Sequence, residues 1–371
     1  MIDYTKDITY NKKYGGLFMT KEKKHRGILK IFTIMFIIIV VCIVGGLFFY
    51  KNGTAAVSKK DKEVIVRIES GMGASQIVNQ LDKQGLIKNK MCAKVYVKLN
   101  SFQNLQANTY ILNEKMSLKD IFHILQNPEE KYVVRVKLTI KDGTTIPDAA
   151  SEVASLLKIS KEEVIAKWAD PEYLKTLIDQ YWFLDDSILN KDIIYPLEGY
   201  LYPETYYVTE KDPTIEDVTK YGLDMMDKKL TPYKKDIAAL GWTPHQFLSF
   251  VSVVERESLF DEDRPIIAGV FMNRLEKGMR LQSDITVNYA WQRTGVDVSY
   301  DHLKIDSKYN TYMYDGLPVG PVSTVLERTM KDCINYEHHD YLYFFAKEDG
   351  KVIYTKTLED HNKAIKENKW Y

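Results

Sequence analysis

"FLSFVSVVERESLFDEDRP", residues 247–265, sets two demands against each other. From Phe247 to Val254 the run holds six apolar residues and two serines, the composition of a core helix, and then Glu255 and Glu257 follow. Just upstream, "LGWTPHQ" carries the start signals of that helix. Thr243 suits the N-cap, Pro244 the first helical position, and Gln246 completes a capping box. At about 3.6 residues per turn, Glu255 lies over Val251 and Leu248, and Glu257 lies over Val253 and Phe250. The helix is apolar nearly all round, so it is expected to be buried among other elements, and periodicity does not choose between the two glutamates. A carboxyl buried there loses hydration, keeps its proton to higher pH and can serve as a general acid. The alternative is a structural glutamate paired with an arginine, for which Arg256, Arg264, Arg274 and Arg280 are the candidates.

Working outward, "RPIIAGVFMNRLEKG" predicts a second helix from Pro265 to a stop at Gly278, and "IEDVTKYGLDMMDKKLTPY" a helix before the first. The two prolines and alternating aromatics of "IIYPLEGYLYPETYYV", which carries Glu198 and Glu204, predict extended edge chain. "YNTYMYDGLPVGPVS" reads as a rigid irregular loop, followed by a helix near 323–334. "DYLYFFAKEDGKVIYTKT" reads as a hairpin turning at Asp349-Gly350. With the strand, Gly turn and helix of "YVVRVKLTIKDGTTIPDAASEVASLL", residues 131–371 are expected to form a large α+β domain.

Residues 64–130 are expected to form a smaller α+β module of strand, helix, helix and strand, closed by a helix capped at Ser117 and ended by Pro128. Its role is either binding or spacing. Its first strand, turn and helix are echoed at the start of the large domain, which is weak support for a remote repeat.

"IFTIMFIIIVVCIVGGLFFY", residues 31–50, carries no charge and has the length of a membrane-spanning helix. It is too long and too far from residue 1 for the apolar core of a cleaved signal peptide. Residues 1–30 are expected to be an irregular cytoplasmic tail and residues 51–63 a flexible linker. Lys12, Lys13, Lys21, Lys23, Lys24, Arg26 and Lys30 precede the span, and Lys51, Lys59, Lys60, Lys62 and Arg67 follow it. This mild bias, with the large domain that follows, favours a cytoplasmic N-terminus and an extracytoplasmic large domain.

Lys plus Arg and Asp plus Glu are equal at 51 each, which gives no support for a nucleic-acid groove. The three cysteines, Cys42, Cys92 and Cys333, form no CxxC and no disulfide framework, and read as packing residues. His338, His339 and His361 have no metal-site spacing, so neither a metal nor another cofactor is expected.

Five motifs then fall in one order: "YPLEGYLYPETY", "SVVERES", "RPIIAGVFMNRLEKGMRLQSDITVNYA", "YNTYMYDGLPVGPVS" and "DYLYFFAKEDGKVIYTKTLEDHNKAI". Together they resemble the endolytic murein transglycosylase family, also called YceG-like, over residues 64–371. The resemblance implies a single N-terminal membrane anchor, a LysM-like module matching residues 64–130, and a catalytic domain that acts on peptidoglycan glycan strands. The bond implied is the β-1,4 link between N-acetylmuramic acid and N-acetylglucosamine in nascent strands, cut to leave 1,6-anhydro ends. Peptidoglycan synthases are the implied protein neighbours. The family's acid is the first Glu of its E-[KR]-E motif, which falls on Glu255, leaving Glu257 and Glu198 as supporting residues. Gln282, Ser283 and Asp284 of "LQSD", with Asn310, Thr311, Tyr312 and Gly316, are the implied substrate contacts. A lone acid suits such chemistry, because the 6-hydroxyl attacks its own anomeric carbon and no second carboxylate is needed to activate water.

The chain departs from the family pattern in three places: "VSTVLERT" after the Gly-Pro loop, Ile285 in place of a proline, and "NYEHH" before "DYLYF". These departures keep open a second reading, a non-catalytic glycan-binding or scaffold protein of the wall-synthesis machinery.

Overall fold

A computed structural model describes residues 15–292 and 302–368. The elements in order are α1 (Gly15–Gly53), β1 (Glu63–Ile68), α2 (Ala74–Lys83), α3 (Lys90–Asn100), β2 (Asn108–Asn113), α4 (Leu118–Gln126) and β3 (Val136–Thr139). Then come α5 (Ile146–Leu157), α6 (Lys161–Trp168), α7 (Pro171–Gln180), β4 (Thr205–Val208), α8 (Ile215–Leu230), α9 (Lys234–Ala239) and α10 (Pro244–Glu257). The chain continues with α11 (Arg264–Glu276), α12 (Asp284–Ala290), α13 (Glu327–Ile334), β5 (Tyr343–Ala346), β6 (Val352–Thr355) and α14 (Leu358–Asn368). The mixed α and β content is that of an α+β protein, and the chain divides into two units, one running to Val134 and one from Arg135.

In the first unit, α1 contains one segment, Leu29–Gly53, of 25 residues, long and apolar enough to cross a membrane, and its most apolar stretch is not buried in protein. Of the expected irregular tail, residues 1–14 lie outside the described residues, and from Gly15 the chain is helical instead. Residues 17–26 contain neither Gly nor Pro and hold several strong helix formers, so helix propagates backwards from the apolar stretch. The expected flexible linker is also held. α1 runs on to Gly53, Leu118 donates its N–H to the Thr54 carbonyl at 3.0 Å, and Ser58 donates to Glu114 at 3.1 Å. Lys62 then pairs with the Glu114 carboxylate at 2.7 Å.

Beyond it, β1 and β2 pair antiparallel, with Val66 opposite Tyr110 and Val64 opposite Leu112. The strand, helix, helix, strand order expected for residues 64–130 is present, followed by α4. Val66, Ile68, Tyr110 and Leu112 are buried on one face of this ribbon against Ile77 and Leu81 of α2 and Phe122 of α4. Two strands alone would be marginal in water, and the three helices supply the cover.

In the second unit α10 is the central element. Thr243 Oγ1 accepts from the Gln246 N–H at 3.2 Å, and Gln246 Oε1 accepts from the Thr243 N–H at 2.9 Å, so the capping box is closed. Every residue from Phe247 to Val254 is buried. α11 packs beside it through Ile267, Ala268 and Phe271. Gly269 of α11 is required by its neighbour, because a Cβ there would lie 2.3 Å from the Glu337 carbonyl oxygen. β3 pairs antiparallel with β4, and β5 with β6 as the expected hairpin. Cys92 and Cys333 are buried free thiols and Cys42 is exposed on α1.

Candidate active site

Residues two apart on a helix project about 200° apart, so Glu255 and Glu257 leave α10 on opposite sides. Glu255 faces α13. Its Oε2 accepts from the Leu326 N–H at 3.3 Å and from the Thr329 hydroxyl. Leu326 is the N-cap of α13, so this carboxylate supplies the negative charge that a helix start favours. Among the described residues Glu255 is therefore paired with no arginine, and it is not gathered with Gln282, Asn310 and Tyr312.

Glu257 meets that group instead. Ser283 Oγ donates a hydrogen bond to Glu257 Oε1. Burial pushes the Glu257 carboxyl up to about 7. The Ser283 hydrogen bond and the Arg256 charge pull it down, and the charge of Asp284 pushes it further up.

The partner loop is fixed from beneath. Gln282 adopts the left-handed backbone region at φ 52°, an uncommon conformation for a residue other than glycine, and it turns Ser283 toward α10. The Gln282 N–H donates to the Thr311 carbonyl at 3.1 Å and the Ser283 N–H to Thr311 Oγ1 at 3.0 Å. Thr286 and Thr311 join hydroxyls at 2.8 Å. Asp284, in the first turn of α12, accepts from the Tyr312 hydroxyl at 2.6 Å. Asn310, fully buried, donates from Nδ2 to the carbonyls of Leu303 and Ile305, both at 2.9 Å. Its Oδ1 accepts from the Tyr312 N–H at 3.0 Å.

The substrate contacts expected from sequence thus divide. Asn310 and Thr311 are buried and engaged by protein. Gln282 and Asp284 are exposed, Tyr312 is half-buried, and Ser283 is buried against Glu257. Gly316, at φ 82°, lies on the far limb of the same loop and lines a separate cavity.

Glu198 is in the core and not beside either glutamate of α10. Its Oε2 accepts from the Ile146 N–H and the Tyr289 hydroxyl, both at 3.0 Å, while Oε1 is buried with no partner among the described residues. Burial pushes this carboxyl up to about 8, and the hydrogen bonds to it oppose the shift. Tyr289 belongs to α12, so Glu198 holds that helix from its buried side.

Arg274 is the residue whose role the sequence did not show. It is buried, and its Nε donates to the Leu342 carbonyl at 2.6 Å. Its Nη1 reaches the carbonyls of Arg280 at 3.0 Å and Leu281 at 2.9 Å, and Gln282 Oε1 at 3.3 Å. Among the described residues no carboxylate pairs with it, and its guanidinium sits 4.9 Å from the Tyr343 ring centre. It had been a candidate partner for a buried glutamate. It clamps instead the turn that presents Ser283, and no motif spacing signals that.

A protonatable carboxyl with a polar loop across from it is an arrangement able to deliver a proton and take one back. Comparison with known proteins bears on which chemistry that serves. Residues 66–367 match the model of the YceG-like family. A Bacillus subtilis (strain 168) protein named endolytic murein transglycosylase is 35% identical over 325 residues, covering 87% of this chain and 90% of that one. A Streptococcus pneumoniae (serotype 2, strain D39) protein of the same name is 34% identical over 361 residues. That match covers 92% of this chain and 65% of the longer relative. A 2.6 Å crystal structure of a YceG-like protein from Listeria monocytogenes superposes with a TM-score of 0.60 at 36% identity, covering 82% of this chain and 99% of that one. With the family model spanning most of the chain, this protein belongs to the YceG-like family.

Proposed function

We propose that the chain is an endolytic murein transglycosylase in which Glu257 is the general acid and base. The observation that carries the assignment is the pairing of Glu257 with Ser283 beside Asp284 and Tyr312, while Glu255 is engaged by α13. In the proposed reaction the Glu257 carboxyl gives its proton to the glycosidic oxygen, and the bond from that oxygen to the muramic acid anomeric carbon breaks. The resulting carboxylate takes the proton of the 6-hydroxyl, whose oxygen closes on the anomeric carbon to form the 1,6-anhydro ring. Intramolecular attack supplies the proximity that a second carboxylate and a water would otherwise supply. A carboxyl held near neutral pH is suited to both halves of the cycle.

Incubating the full chain with glycan strands and counting 1,6-anhydromuramyl ends by mass spectrometry tests the reading. Glu257→Gln is expected to lower their formation by roughly a hundredfold or more, and Glu255→Gln to leave most of it. Full cleavage by Glu257→Gln would remove the assignment. Strand binding without new ends in the unaltered chain would favour a scaffold instead.

The finer placement follows the same reading. Leu29–Gly53 is the single anchor, the N-terminus is cytoplasmic, and the module before Arg135 is LysM-like and grips the glycan. Peptidoglycan synthases supply the nascent strands. Labelling of single cysteines placed in residues 1–14 and in α14 with a membrane-impermeant reagent tests the orientation, and labelling of the former alone would reverse it.

A further inference from the structure

A second cavity, of about 520 Å³, opens at the N-terminal end of α10. Ser187, Asn190, Trp242 and the Gly316–Val319 segment form much of its wall. None of its lining residues is Lys, Arg, Asp or Glu, in a chain where 27% of residues are charged. An ionic ligand would be desolvated there with no countercharge, so the lining selects a neutral one.

Its polar groups fall into two sets. His245 is fixed by the Tyr200 hydroxyl and the Val319 carbonyl, both at 2.7 Å, Ser249 bonds to the His245 carbonyl, and Gln246 closes the capping box. These build the wall. The indole Nε1 of Trp242, the Ser187 hydroxyl and the Asn190 Nδ2 form no hydrogen bond with any described residue. An aromatic ring held by Phe250 at 5.2 Å between centroids, with a free amide N–H group and a hydroxyl in the same lining, matches what a sugar ring offers: an apolar face and a polar rim.

The cavity is tied to the Glu257 group by two elements. Arg274 clamps Gln282, and the next residue of α11, Leu275, lines the cavity. Tyr312 bonds to Asp284, and four residues along the same loop Gly316 lines the cavity. Along α10, His245 and Glu257 are separated by about 18 Å of helix, a span that a glycan several rings long covers.

We infer that this cavity is a second glycan-binding site, which holds an uncharged N-acetylated sugar ring of the strand whose cleavage is proposed at Glu257. The inference rests on that function, and it predicts a device by which the enzyme measures where along a strand it cuts.

The test uses the full chain in detergent micelles with the N-acetylglucosamine tetramer as probe, measured by titration calorimetry. Unaltered chain and Glu257→Gln should bind it alike. Trp242→Ala should weaken binding roughly tenfold, the effect of losing one good contact, and should shift the product lengths from peptide-free glycan strands. Because Trp242 also packs on Phe250, Asn190→Ala, an exposed change, and Ser187→Trp, which fills the cavity, serve as the folded controls and should weaken binding in the same direction. Unchanged tetramer affinity in Asn190→Ala and Ser187→Trp, or no binding by the unaltered chain, overturns the inference. Loss of cleavage in Glu257→Gln concerns the acid alone, since its tetramer binding is read separately.

Discussion

Ser283 Oγ donates its hydrogen bond to Glu257 Oε1 across 26 positions of sequence, and that contact gives the two glutamates of one helix different surroundings. It also makes the acid tunable from the opposite wall.

Glu257 has its carboxyl raised to about 7, so the proton needed to start cleavage is present below that pH and is lost as pH rises through it. The alkaline limb of kcat/KM should therefore lie near 7. Ser283→Ala removes a bond that favours the charged form and should move the limb up. Asp284→Asn removes a repelling charge and should move it down. Equal displacement of the limb in both variants would contradict the geometry.

Glu255 and Thr329 join α10 to α13. Glu255→Gln or Thr329→Val should cost about 1–3 kcal/mol of stability in urea unfolding, the range for a partly buried bond broken on one side, while anhydro-end formation is largely kept.

Glu198 is raised to about 8, so the folded chain holds a proton that the unfolded chain releases at ordinary carboxyl pH. Its contribution is fully present at acid pH and disappears as pH climbs toward 8. Glu198→Gln keeps an acceptor for Ile146 and Tyr289 and should flatten the slope of melting temperature against pH between about 5 and 8. An unaltered slope would mean the carboxyl is ionised in the fold.

Arg274→Lys replaces a planar fork with a point charge. It should reduce kcat roughly tenfold or more with a smaller change in KM, because a turn set slightly wrong harms the reacting geometry most. Arg274→Met, which also leaves the carbonyls of Arg280 and Leu281 without their donor, should be worse than Arg274→Lys. Equal loss in both would mean that the fork geometry matters and the charge adds nothing, and unaltered kcat in Arg274→Lys would mean that charge alone suffices.

α10 was legible because its cap, its proline and its apolar run all act locally, at Thr243, Pro244 and Phe247–Val254. The long apolar helix through residues 31–50 was legible for the same reason, since its length and lack of charge are read locally. The choice between Glu255 and Glu257 was not legible from periodicity. A helix buried all round has no polar side to betray which carboxyl is wanted, and the residues that decide, Ser283 and Thr329, lie far along the chain on opposite flanks. The motif resemblance located the group and gave the role to Glu255, whose side of the helix meets α13, while Glu257 is the one that meets Ser283. Asn310 and Thr311 show the same limit: their place near the site could be read, but whether an amide faces a ligand or a backbone carbonyl depends on the fold. The tethering of residues 54–62 was missed because it rests on backbone bonds to Thr54 and Ser58, which composition cannot encode.

The Arg274 clamp has a consequence in time. Two of its holds, the Leu342 carbonyl and the Tyr343 ring, are made by the ribosome after Glu257, Ser283 and Tyr312. A chain interrupted before Leu342 would carry Glu257, Ser283 and Tyr312 and still lack part of the anchorage that sets the Gln282 turn. The hairpin therefore acts as a completion step, since the Gln282 turn gains its full anchorage only when the last strands have been made.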